Sequence, residues 1–154
     1  MKTDRIAAAL APATAVTLAL LLAQPALAAG NVEKGQRIFL KCKACHAVVK
    51  PDGTKIVPGG ILGPDLYGVI GRKAGTGTAS NTGKPYNYDA GLKALEKTGL
   101  VWTQALLAEY VKNPTAFVRK KTGDSSARVK MTFMLSHGGA DVAAYLASLA
   151  PAAN

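Results

Sequence analysis

The chain has 154 residues, enough for one domain, and carries 19 lysines and arginines against 9 aspartates and glutamates, a net charge of +10. So basic a chain excludes a cationic partner and points to an acidic protein, a membrane surface or a nucleic acid.

Lys2 and Arg5 form a charged start, and residues 6–22 are an apolar run rich in Ala, Leu and Val. Gln24 and Pro25 follow, and Ala26-Leu27-Ala28 has the small-x-small form of a signal-peptidase site. The sequence therefore predicts a signal peptide over residues 1–28, cleaved after Ala28 or the adjacent Ala29, and a mature domain over residues 29–154. The rival is a retained membrane anchor. Pro12, the many alanines and the cleavage signal argue against it. Loss of Lys2, Asp4 and Arg5 leaves 17 basic and 8 acidic residues, a net +9. Export to an oxidising periplasm gives nucleic acid no place among the partners.

Asn31 is placed to cap a helix, with Glu33 in its first turn where the helix dipole favours an acid. Val32, Gly35 and Phe39 fall on one face. Gly35 lowers helix stability, so its use points to a close helix crossing. This helix runs into Cys42-Lys43-Ala44-Cys45-His46, the C-x-x-C-H attachment signature of a c-type haem. Two thiols one turn apart can each form a thioether to a porphyrin vinyl group, and the next histidine then lies under the iron. These are the only two cysteines in the chain. A thioredoxin-like pair would need a βαβ pattern, which is not visible. A structural zinc site would need four ligands, and only His137 adds a nitrogen. A disulfide across two residues would constrain little.

Residues 48–63 are rich in Gly and Pro and read as loop. Gly63-Pro64-Asp65-Leu66-Tyr67-Gly68 opens a short apolar element ending at Gly71-Arg72-Lys73. Residues 74–85, mostly Gly, Thr, Ser and Ala, read as a second loop. Thr103 caps a helix whose apolar positions are Leu106, Leu107, Tyr110 and Val111, and Asn113-Pro114 ends it. Residues 117–130 read as irregular and basic. After Gly138-Gly139, Asp141 leads a last amphipathic face of Val142, Tyr145, Leu146 and Leu149, stopped by Pro151. Three helices, long loops and almost no alternating pattern predict an all-α fold whose missing core is the haem itself.

An iron in this setting needs a second axial ligand or an open site. Met131, Met134 and His137 are the candidates in the C-terminal half. A methionine with the histidine gives a high potential, suited to electron transfer. Methionine is more often core filler, and spacing alone supports Met131 only weakly. His137, between Ser136 and Gly138, reads as part of a solvated turn.

The assembled residues resemble a class I cytochrome c, and more closely the bacterial cytochrome c2 group. The resemblance spans nearly all the mature chain. It rests on Lys34-Gly35-Gln36-Arg37-Ile38-Phe39, residues 42–46, Gly63-Pro64-Asp65-Leu66-Tyr67-Gly68, Gly71-Arg72-Lys73-Ala74-Gly75, Tyr86-Asn87-Tyr88, Gly99-Leu100-Val101-Trp102, Glu109-Tyr110-Val111-Lys112-Asn113-Pro114, Lys130-Met131-Thr132-Phe133 and residues 141–146, in the family's order. It implies a class I cytochrome c fold: three main helices plus a short one, and long loops around one haem c held by Cys42 and Cys45. It implies that His46 and Met131 are the axial ligands and that the Pro64 carbonyl accepts from the axial histidine. It implies that Arg72, Tyr88 and Trp102 meet a buried haem propionate, and that Tyr110 packs near the axial methionine. Residues 47–63 and 117–130 are longer than in mitochondrial cytochrome c.

The function so implied is a soluble periplasmic one-electron carrier, not an enzyme, acting as a monomer between acidic redox proteins. A quinol–cytochrome c oxidoreductase or periplasmic dehydrogenase would serve as donor, and a terminal oxidase or photosynthetic reaction centre as acceptor. The rivals are an anchored cytochrome c and an open-site haem peroxidase or sensor. Lys41, Lys43, Lys50, Lys55, Lys120, Lys121 and Lys130 are expected to ring the haem edge, with Lys93 and Lys97 remote from it.

Overall fold

The structure is a computed structural model that describes residues 30–150. The predicted leader and Pro151 lie outside the described residues. Five α-helices are formed among them: α1 (Val32–Phe39), α2 (Ala90–Lys97), α3 (Gln104–Lys112), α4 (Pro114–Thr122) and α5 (Gly139–Ser148). A short antiparallel hairpin, β1 (Val48–Val49) with β2 (Lys55–Val57), stands inside the first predicted loop and pairs Val48 with Val57.

Local chemistry starts the helices where the sequence predicts. The Asn31 side chain accepts from Lys34 N at 2.8 Å, and Thr103 Oγ1 from Leu106 N at 3.1 Å, so each satisfies an amide that the helix leaves unpaired. Gly35 permits the crossing expected of it. A Cβ there would lie 2.0 Å from the Asp141 carbonyl oxygen, so α1 and α5 touch backbone to backbone. Phe39 is buried and its ring packs on Tyr145 with centroids 5.5 Å apart. Val32 departs from the expected face and is 43% exposed. The helix is only two turns long, and its contact with α5 is centred on Gly35.

The expected all-α fold of three main helices plus a short one holds, and two helices, α4 and α2, stand where the sequence reading placed none. Asn113-Pro114 does end α3, but it also begins α4 within the stretch read as irregular. Asn113 Oδ1 accepts from Ala116 N at 3.0 Å, and Pro114 occupies the first turn, where it has no amide to lose. Phe117 and Val118 are buried on its inner face, and Gly123 ends it with φ 73°. The other addition is α2, capped by Asp89 and burying Leu92 and Leu95. Helices α2 and α4 pack together, α3 packs on α5, and the space between these layers stays open toward residues 42–46.

Candidate haem site

A 3₁₀ turn over Cys42–Ala44 presents the two thiols, Cys42 half-buried and Cys45 exposed. Burial pushes the Cys42 thiol up to about 11, with Cys45 beside it adding and Lys41 opposing. His46 follows with its amide bonded to the Cys42 carbonyl at 3.0 Å. Its Nδ1 donates to the Pro64 carbonyl at 2.8 Å, which leaves Nε2 as the basic nitrogen. Burial lowers the pKa of the imidazole and the Pro64 carbonyl opposes this. Gly63 lets the chain pass under the ring. A Cβ there would fall 2.2 Å from His46 Cε1.

The Pro64 carbonyl is itself fixed by the residue after it. Asp65 is 3% exposed, and its carboxylate accepts from Val49 N at 3.0 Å and Tyr67 N at 2.6 Å. Burial raises its pKa, while those two donors and the nearby Arg72 charge oppose. Arg72 donates to the Asp65 carbonyl at 2.9 Å and to the Tyr67 carbonyl at 3.2 Å. Burial lowers the Arg72 pKa, yet a guanidinium so held remains a cation. Burial raises the Tyr88 phenol, with Arg72 opposing. Trp102, Tyr110 and Phe117 form an aromatic cluster with ring centroids 5.1–5.7 Å apart. Burial pushes the Tyr110 phenol strongly up, and the Asp89 charge adds to it.

All nine residues singled out in the sequence line one cavity of about 450 Å³. That size suits a cofactor, since such sites run roughly 300–1,000 Å³ and are mostly apolar with a few placed polar groups. Phe39, Leu92, Leu107, Val111, Val142 and Leu146 supply apolar wall, and Arg72 supplies a half-buried cation for an acidic group. The donor set therefore fits a porphyrin: two thiols, one fixed imidazole and one thioether. Met131 is half-buried in the wall, whereas Met134 is 59% exposed, His137 is exposed, and neither lines the cavity. Among the described residues no three of His, Cys, Asp and Glu gather as a metal site.

The Cytochrome c family profile matches residues 32–150. The chain belongs to the cytochrome c family. Within that family it is similar to cytochrome c2 of Rhodobacter capsulatus, 48% identical over 137 residues that cover 88% of this chain and 95% of the relative. It is also similar to cytochrome c-550 of Paracoccus versutus, 50% identical over 89% of this chain and 87% of that one. The solved structure of the Rhodobacter capsulatus cytochrome c2 superposes with a TM-score of 0.72, covering 77% of this chain and 97% of its own. This cytochrome c thus has the class I fold and carries a covalently attached haem c.

Two residues of the site were missed in the sequence. Asp89 lines the cavity while capping α2, and its position before Ala90 is the N-cap pattern that a reading of helix starts would find. Asp65 bonds locally to the Tyr67 amide two residues on, but its other partner, Val49, lies 16 residues back. Three lysines also fall elsewhere than expected. Lys120 and Lys121 pair with Glu109 at 2.9 and 3.7 Å, and Lys93 stands over the Tyr88 ring at 5.7 Å, next to the cavity wall.

Proposed function

We propose that this cytochrome c is a soluble one-electron carrier of the periplasm, and not an enzyme. Cys42 and Cys45 hold the haem through thioethers, and His46 and Met131 are its axial ligands. The observation that carries this reading is the pairing of a His46 imidazole oriented by Pro64 with Met131 on the wall of one apolar cavity. The bound haem supplies an iron that passes between ferric and ferrous states. The chain's residues fix that centre and keep water from it. Pro64 orients His46 and raises its basicity. Arg72, Tyr88 and Trp102 receive a propionate, and Tyr110 packs beside Met131. With both axial positions filled by side chains, no site is left for a peroxidase or gas-sensing reaction.

The leader over residues 1–28 directs export and is removed, a reading supported by its basic start, its apolar run and Ala26-Leu27-Ala28. No described helix is long and apolar enough to cross a membrane. The mature domain over residues 29–154 acts as a monomer. Its docking face is the cavity mouth, where Leu62 (76% exposed) and Phe133 (41% exposed) lie with Lys41 and Lys130. An apolar centre with a basic margin fits an acidic redox partner of the oxidoreductase, oxidase, reaction-centre or dehydrogenase kind.

The test compares two methionines. Met131→Ala is expected to abolish the long-wavelength ferric band of methionine–iron coordination, lower the potential and admit carbon monoxide. Met134→Ala should leave all three nearly unchanged. The reverse order would refute the ligand assignment.

A further inference from the structure

Asp89 joins two segments that are 41 residues apart. Its Oδ1 accepts from Leu92 N at 2.9 Å and caps α2, while its Oδ2 accepts from Lys130 N at 2.9 Å. Lys130 immediately precedes Met131. The approach is built in from both sides. At Gly91 a Cβ would lie 2.3 Å from the Arg128 carbonyl oxygen, so only glycine lets α2 press against this segment. Arg119 Nε, on α4, donates to the Ala127 carbonyl at 3.0 Å, and Ala127 and Val129 are buried. The segment is thus pinned at Ala127, Arg128 and Lys130, and the last pin is the Asp89 carboxylate.

We propose that Asp89 is a positioning residue for the iron ligand Met131. It fixes the peptide that carries Met131 and so holds the thioether in place against competing ligands. This rests on the reading of Met131 as an axial ligand. A charge-assisted hydrogen bond to a backbone amide is among the stronger single contacts. Its loss releases the ligand-bearing backbone at a point with no helix or strand to hold it. Ordering that the fold now provides in advance would then be required at each ligation event.

The experiment uses ferric holoprotein and imidazole as the competing ligand, with amide hydrogen exchange at Leu92 and Lys130. Asp89→Asn keeps one acceptor oxygen and a good helix cap, but its amide nitrogen cannot accept from Lys130. Asp89→Ala loses both bonds. Asp89→Asn is expected to keep Leu92 protected, unprotect Lys130 and bind imidazole about tenfold more tightly, the equivalent of one such bond. Asp89→Ala should match it in imidazole affinity and also expose Leu92. A variant whose Lys130 amide is released while imidazole affinity stays at the wild-type value overturns the proposal. Absence of the methionine–iron band in the unaltered protein would instead refute the ligand assignment itself, which separates the two failures.

Discussion

His46 owes its position to a carbonyl on one side and a missing side chain on the other. The Pro64 carbonyl takes the Nδ1 proton, and Gly63 leaves the ring its space. Gly63→Ala would place a methyl 2.2 Å from His46 Cε1, and ring or loop must move. Such overpacking costs about 3 kcal/mol, readable as a lower melting temperature of the holoprotein. A ring displaced from Pro64 is a weaker base, so the potential should rise in a redox titration. A melting temperature and potential both equal to wild type would show that the gap is not filled by the imidazole. Cys42 has a related constraint. Burial raises its thiol to about 11, with Cys45 adding and Lys41 opposing, so the folded site disfavours the thiolate.

Among the elements, the α1–α5 crossing has the least tolerance. Gly35→Ala sets a methyl 2.0 Å from the Asp141 carbonyl and 2.8 Å from Tyr145 Cβ, with backbone rather than a flexible side chain in the way. A loss of about 3 kcal/mol or more in denaturant unfolding is expected; a wild-type midpoint would mean the helices part at no cost. This crossing was legible because a glycine inside an otherwise helical pattern needs a reason. So were the caps at Asn31 and Thr103, which depend on three consecutive residues of local geometry. The helix α4 was not legible. Pro114 marks both the end of one helix and the first turn of the next, and Arg119, Lys120 and Lys121 leave Phe117 and Val118 as its only large apolar contacts. Helix α2 is eight residues long and was missed although it carries its own signal, an Asp89 cap followed by Leu92 and Leu95 on one buried face. At the site, His46 was legible from its spacing to the cysteines and the other lining residues only through the family resemblance, whereas Asp65 and Asp89 each join a nearby amide to one distant in sequence.

For the molecule as a whole, the cofactor is also the centre of the core. Without the haem, the apolar walls of a cavity of about 450 Å³ would have no packing partner. The haem-free chain should therefore lose most of its far-ultraviolet helical signal, and a retained helical spectrum would show that the walls close without the haem. Charge acts at the same scale. Lys41 and Lys130 line the cavity mouth, whereas Lys97 and Lys112 are exposed elsewhere. Reversing the first pair to glutamate should slow electron transfer to an acidic partner more than reversing the second, and flatten its dependence on salt. Equal losses would reduce the effect to net charge.

The Asn31 amide donates to Asp141 Oδ1 at 2.7 Å, across 110 positions of chain. With the Gly35 crossing beside it, this contact turns the polypeptide between α1 and α5 into a closed ring. A ring cut once does not fall apart. A protease nick at the exposed Asn81–Gly83 tip would leave the haem-bearing fragment, with α1, clasped by α5 of the other. The nicked protein should migrate as one species in native conditions and as two after denaturation.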